Sequence, residues 1–264
     1  MKALIKFRFV GTAYNGYQVQ PGSIPTVQRA LNEATRALFG YDCDVMGCSR
    51  TDAGVHARAF CAAVSKKGQT DLPTTIAAAN IPRALCTHLP NDIAVTDACF
   101  VPDDFHPRYA VAAKEYEYRF YSSPIRDPFE DLRSWHIPCP LLPDAVERMN
   151  LAASAFVGTH DFASFMAQGS KITVPVRTVK YAEVSREGNI LSFRVCADGF
   201  LYNMVRIMAG TLYEVAVGRR DPESILASIE ARDRVAAGLT APPHGLYLSR
   251  VFYNRPDVLP AHWE

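Results

Sequence analysis

The chain has 264 residues, 48% hydrophobic and 21% charged, and its 28 basic and 27 acidic side chains leave a formal net charge of +1. That composition suits a soluble globular protein of one large domain or two ordinary ones, and by itself it does not announce a nucleic-acid binder. No apolar run reaches the roughly 20 residues of a membrane-spanning helix. The opening Met1-Lys2-Ala3-Leu4-Ile5-Lys6 returns to charge too soon for a secretory signal, so a cytoplasmic location is expected.

Alternation of Ala3, Ile5, Phe7 and Phe9 with Lys2, Lys6 and Arg8, broken only by Leu4, predicts a strand over 2–9. A polar, Gly-rich loop follows to Gly22. Pro25-Thr26 then opens a helix with Thr26 as N-cap, and Gly40 ends it. A short run from Val45 leads into the Gly47–His56 segment, and strands are expected over 59–65 and 93–98. A helix over 73–85 is expected to be interrupted at Pro82. Pro102-Asp103-Asp104 is the expected domain boundary, giving units 1–104 and 105–264.

In the second half, residues 112–121 read as a strand with Tyr116, Tyr118 and Phe120 on one face and Glu115, Glu117 and Arg119 on the other. Residues 142–156 read as an amphipathic helix. Residues 180–186 and 190–197 read as a hairpin across Glu187-Gly188-Asn189. A helix over 203–217 is apolar nearly all round and stops at Gly218. Asp221-Pro222 is expected to cap the next helix, and 246–253 is a last strand. The fold class is α+β: two domains, each a mostly antiparallel sheet with helices packed on it, with an active-site cleft between them.

Seven cysteines without a Cys-x-x-Cys suggest neither a disulfide framework nor a zinc knuckle. Cys48, His56 and Cys61 are close enough for a metal reading, against which stands that of buried thiols. Arg outnumbers Lys by 21 to 7, and Arg's planar fork suits phosphates and buried carboxylates.

The densest candidate for chemistry is Arg50-Thr51-Asp52-Ala53-Gly54-Val55-His56. A carboxylate between Arg and Thr on a Gly-bounded loop can be held ionised, as nucleophile or base. The same residues also suit a plain Asx-turn. Arg206 is the only basic residue in 200–217. It needs either a carboxylate from elsewhere, Asp52 being a candidate, or a route to solvent. Tyr116 fits base stacking or sheet packing. Phe105-His106-Pro107-Arg108-Tyr109 interleaves basic and aromatic residues like a single-strand platform, or is an interdomain loop. Gln168-Gly169-Ser170-Lys171 is a weaker, flexible patch.

Taken together, these stretches resemble the TruA family of tRNA pseudouridine synthases. The family signature appears as Ser49-Arg50-Thr51-Asp52-Ala53-Gly54-Val55-His56-Ala57. Gly11-Thr12-Ala13-Tyr14-Asn15-Gly16-Tyr17-Gln18, Thr26-Val27-Gln28, Leu89-Pro90-Asn91-Asp92-Ile93, Asp103-Asp104-Phe105-His106, Asp161-Phe162-Ala163-Ser164-Phe165, Phe200-Leu201-Tyr202-Asn203-Met204-Val205-Arg206 and Gly245-Leu246-Tyr247-Leu248 follow the family's order over nearly the whole chain. Ser49, Tyr17 and Lys114 depart from the usual Gly, Trp and Arg, and remove no chemical group that the reaction uses.

The resemblance implies a cofactor-free, metal-free isomerase converting uridine to pseudouridine in the anticodon stem-loop of tRNA, at positions 38, 39 and 40. It also implies a homodimer with one tRNA bridging both protomers. Asp52 matches the catalytic aspartate, Tyr116 the tyrosine that contacts the target base, and Arg206 the arginine paired with the aspartate. Arg50 and Leu246 are expected at the substrate. Phe105, His106, Pro107, Arg108 and Tyr109, with Gly169, Ser170, Lys171, Ile172 and Thr173, match segments that touch tRNA. The alternatives are a family member with a different RNA target, a non-catalytic RNA-binding module, and an aspartyl-phosphate phosphotransferase. The last would need Mg²⁺ ligands, yet no acidic cluster surrounds Asp52 in the sequence.

Overall fold

The structure is a computed structural model, and it describes residues 1–170 and 172–263. The chain divides into two compact units. One comprises Met1–Ala112 and the residues from Leu248 onward; the other is Ala113–Tyr247. Strands and helices interleave in both, and the class is α+β with a mostly antiparallel sheet.

In the first unit β1 (Lys2–Phe9) leads through the Gly-rich loop to α1 (Val27–Phe39), β2 (Cys43–Gly47), β3 (His56–Lys66), α2 (Ile81–Cys86) and β4 (Ile93–Val101). β1 lies between β3 and β4, antiparallel to both, and β2 pairs with β3. The alternation of β1 is realised: Ala3, Ile5, Phe7 and Phe9 are buried and Arg8 is exposed. Leu4 breaks the pattern because the second face is partly covered too. There Lys2 Nζ donates to the Phe105 carbonyl at 3.3 Å, and Lys6 Nζ sits 4.8 Å from the Trp263 ring centre. Thr26 caps α1 by accepting from the Arg29 N–H at 3.3 Å, and Gly40 ends it at φ +77°. Pro82 does not interrupt a longer helix. It stands in the first turn of α2, where its missing N–H costs no hydrogen bond.

In the second unit β5 (Val111–Ser122), β6 (Trp135–Ile137), α3 (Ala145–Ser154), β7 (Gly158–Asp161), β8 (Val176–Glu187), β9 (Ile190–Ala197), α4 (Met204–Ala216) and α5 (Ser224–Glu230) follow in turn. The strand order is β5-β9-β8-β7, all antiparallel, and β6 pairs parallel to β5. The aromatic face of β5 packs inward as expected, with Tyr118 and Phe120 essentially fully buried. The opposite face is not simply solvated: Glu115 and Glu117 are each only 7% exposed. Buried carboxylates require donors. The Tyr181 hydroxyl donates to Glu115, and Ser192 Oγ donates to Glu117 Oε1 at 2.9 Å.

α3 begins three residues later than its apolar pattern suggests, after Pro143, with Asp144 in the N-cap position. α5 is capped differently from expectation as well. The Ser224 N–H and Oγ both donate to the Asp221 carbonyl, so Asp221-Pro222 forms a turn ahead of the helix. β10 (Leu246–Tyr253) is the last strand, and from Leu248 it belongs to the first unit, beside β3.

Candidate active site

Asp52 sits in a β-turn closed by the Val55 N–H donating to the Asp52 carbonyl at 3.2 Å, with Gly54 at φ +77°. That backbone conformation favours glycine. The turn is held from outside by the loop after β1. The Tyr17 N–H donates to the Thr51 carbonyl at 3.1 Å, and the Gly54 N–H donates to the Tyr14 carbonyl at 3.2 Å. The Gly11 N–H donates to His56 Nδ1 at 3.0 Å, which marks that nitrogen as unprotonated. The contact is so close that a Cβ on Gly11 would lie 1.9 Å from the Val55 carbonyl oxygen, and one on Gly16 2.5 Å from that of Thr51. Asp52 is half-buried, Thr51 and His56 are buried, and Arg50 is exposed.

The clamping loop is itself braced. The Tyr14 hydroxyl donates to Asp92 Oδ1 at 2.6 Å, and the Val10 N–H to the Asp92 carbonyl at 2.9 Å. Burial and the Asp92 carboxylate push the Tyr14 phenol well above its ordinary pKa. Gln28 at the start of α1 bonds three ways: its N–H donates to the Tyr17 carbonyl, Nε2 donates to the Val45 carbonyl, and Oε1 accepts from the Val19 N–H. Tyr17, 3% exposed, stacks on Phe60 at 4.4 Å and donates to the Val45 carbonyl. It packs against the space a Gly47 side chain would take.

Cys48, His56 and Cys61 lie within the first unit. All three are buried, the Cys61 N–H donates to Cys48 Sγ at 3.4 Å, and no metal-holding cluster occurs among the described residues. Burial pushes the Cys61 thiol up.

Residues 105–109 divide by direction. Phe105 is 2% exposed and packs on Tyr253, while buried Pro107 offers its carbonyl to the Tyr253 hydroxyl at 2.9 Å. Their side chains anchor the segment and do not face outward. His106 Nδ1 accepts from the Arg108 and Tyr109 N–H groups, both at 3.2 Å, and its ring lies 4.1 Å from that of Tyr109. Tyr109 is 80% exposed. The two rings are thus stacked and the His106 ring is fixed by backbone bonds, with half-buried Arg108 between them in the chain.

In the second unit Tyr116 lies on β5, 7% exposed, with its ring edge-on to Phe200 at 5.0 Å. Arg206, near the start of α4, is half-buried and not deeply sealed. Its Nε donates to the Ala241 carbonyl and one terminal nitrogen donates to Asn203 Oδ1, both at 2.8 Å, while its own carbonyl accepts from the Ala241 N–H at 3.0 Å. Asn203 adopts φ +59°, a left-handed conformation that Asn tolerates better than most residues, and its amide holds the guanidinium. Glu214 is occupied elsewhere, by Arg220 at 2.9 Å and by the Leu239 N–H at 3.3 Å. Leu246 is buried just after Gly245, where a Cβ would strike the Tyr118 ring.

Gly169 turns the 167–175 loop at φ +83°, Ser170 Oγ accepts from the Ile172 N–H, and Ile172 and Thr173 are exposed. Lys171 lies outside the described residues. The motif 161–165 is structural: Phe162, Ser164 and Phe165 are fully buried, and Ser164 Oγ accepts from the Asp233 N–H.

A family profile described as tRNA pseudouridine synthase matches residues 152–254. The chain is 42% identical over 256 residues to tRNA pseudouridine synthase A of Bacillus licheniformis, covering 96% of this chain and 99% of that one. It is 41% identical over 243 residues to that of Geotalea daltonii (92% and 96%) and 38% identical over 250 residues to that of Thermoanaerobacter sp. strain X514 (95% and 98%). The chain belongs to the tRNA pseudouridine synthase A family.

Tyr17, where the resemblance leads one to expect Trp, is a core residue whose ring fills the space beside Gly47 and steadies the turn through its backbone. The bracing roles of Asp92 and Asn203 are not visible from residue type. Each sits in a stretch that resembles the family, and only geometry shows what it holds.

Proposed function

We propose that this chain isomerises uridine to pseudouridine in the anticodon stem-loop of tRNA, at positions 38, 39 and 40, and that it acts as a homodimer. The observation that carries the reading is the Asp52 turn. A half-buried carboxylate is presented on a backbone held by three hydrogen bonds from another family motif, Gly11 to Gln18. Such preorganisation is what a reacting group needs and a plain surface turn does not.

The reaction breaks the C1′–N1 bond, turns the uracil and joins C5 to C1′. The proton leaves C5 and N1 regains one, so no redox partner is called for. Asp52 supplies the carboxylate, either attacking C1′ or taking the C2′ proton. Tyr116 contacts the target base, and Arg206 is the arginine that the family resemblance pairs with the aspartate. The target nucleotide must leave its stack, at a cost of a few kcal/mol. The His106–Tyr109 platform with Arg108, exposed Arg50 and the 169–173 loop are the contacts proposed to hold the arm.

The test is tritium release from tRNA labelled at uridine C5, using transcripts with uridine at single positions of the anticodon arm. Release confined to 38–40 supports the reading. Release from another site would retain the chemistry and move the target, and none from any tRNA would leave a binding module.

A further inference from the structure

We propose that His56 is a positioning residue for Asp52, holding its turn through a hydrogen bond that the ring accepts where the strand ladder ends. The inference rests on the catalytic reading of Asp52 above. The β1–β3 ladder runs as far as the pairing of Phe9 with Ala57. Beyond it the Val10 N–H goes to the Asp92 carbonyl at 2.9 Å, and the next N–H, that of Gly11, goes to His56 Nδ1 at 3.0 Å. Gly11 opens a single short helical turn, Gly11–Ala13, in which the Tyr14 N–H donates to the Gly11 carbonyl at 3.0 Å. The Tyr14 carbonyl in turn accepts from the Gly54 N–H at 3.2 Å. These three hydrogen bonds form a closed loop that joins His56 to Gly54, with Val55 between them. The Val55 N–H is the group that closes the Asp52 turn, so the limb of the turn leading into β3 is tied at both ends.

Gly11 is buried, and a buried backbone N–H needs an acceptor. Nδ1 lies close to its own backbone on a stiff ring, so it offers that acceptor at a fixed place. Gly11 packs directly on Val55, where a Cβ would lie 1.9 Å from the Val55 carbonyl oxygen. The two backbones touch with no side chain between them to absorb a shift, and a displaced acceptor is passed on to the turn. The His56 ring is only 1% exposed and has no face to offer a nucleotide, so it acts through Asp52 and does not itself react. A reacting group misplaced by about 1 Å can cost roughly 100-fold in rate.

The experiment measures steady-state tritium release from a tRNA transcript, with melting curves, for wild type, H56N, H56L and D52A. Asn places its Oδ1 near where Nδ1 stood and can accept the Gly11 N–H, whereas Leu fills the space and cannot accept. H56L should lose more than about tenfold in kcat while KM for tRNA stays within about threefold, because phosphate contacts set binding. H56N should recover most of that loss. Nitrogen-15 spectra of the wild-type ring should show Nδ1 unprotonated and coupled to the Gly11 amide. Wild-type kcat in H56L, a folded H56N as slow as H56L, or a protonated Nδ1 overturns the proposal, and the spectrum decides should neither variant fold. Turnover retained in D52A instead sinks the reading of Asp52 on which the proposal rests.

Discussion

The Tyr14 hydroxyl donates to Asp92 Oδ1 at 2.6 Å, while the Tyr14 carbonyl receives the N–H of Gly54 two residues after Asp52. One residue thus links the start of β4 to the turn that carries the carboxylate. Replacing Tyr14 by Phe deletes the first bond and keeps the second. A hydrogen bond to a charged, half-buried acceptor contributes about 1.5–3 kcal/mol at most, and partial exposure lowers that. Tyr14→Phe is expected to reduce melting stability modestly and to lower kcat more than tRNA affinity, checked by melting curves and single-turnover tritium release.

Gly16 and Gly22 separate strain from contact. Both have positive φ, +85° and +78°, but a Cβ at Gly16 meets the Thr51 carbonyl oxygen at 2.5 Å, whereas one at Gly22 meets nothing within 4 Å. Gly22→Ala should cost about 1–2 kcal/mol of left-handed strain and leave turnover near wild type. Gly16→Ala adds a backbone collision beside Asp52, so turnover should fall by more than about tenfold even where the protein still folds. Equal kcat losses in the two variants would show that the close approach does not matter.

Asp52→Ala should abolish pseudouridine formation, with tRNA affinity kept within about tenfold because phosphate contacts dominate binding. Arg206 is fastened to Ala241 and Asn203 in its own unit, which makes its dependence on Asp52 measurable. A double-mutant cycle in melting stability with Asp52→Asn and Arg206→Met should show coupling if the two charges stabilise one another. Additive effects would mean that Asn203 and the Ala241 carbonyl suffice to place Arg206. Arg206→Lys should fold and turn over slowly, since it loses the fork.

His106 provides a pH handle. Burial, and then the Arg108 charge, lower its pKa below the usual 6.5, and its Nδ1 accepts two backbone N–H bonds that protonation would abolish. In a window below 6.5 the unfolded chain therefore binds more protons than the native one, and stability falls as pH drops through the native pKa. Ring-proton NMR should give His106 a titration midpoint below 6.5. Hydrogen exchange at the Arg108 and Tyr109 amides should accelerate at acid pH, and a His106→Gln variant should lose that pH dependence.

Much of the fold was legible because it is local. Period-2 alternation outlines β1, β5 and β9, and Thr26 and Gly40 bracket α1. β6 and β7, of three and four residues, are too short to show a period. Pro82 misleads by type alone, since a proline that breaks a helix interior is welcome in its first turn.

By itself the sequence determined the chemistry-bearing segment around Asp52, the singular base in an apolar helix at Arg206, and the family to which their order points. The tertiary structure decided what those residues touch. It turned Phe105 and Pro107 inward and left Tyr109 outside, and it gave Arg206 an amide and a carbonyl to hold. It gave Glu115 and Glu117 hydroxyl donors and placed the chain from Leu248 onward with the first unit. The reason is range. Periodicity reports which way a side chain faces relative to its neighbours. A bond such as that from Tyr14 to Asp92, 78 residues apart, or the register shift between Phe7 and Phe9 of β1, exists only once strands distant in sequence have paired.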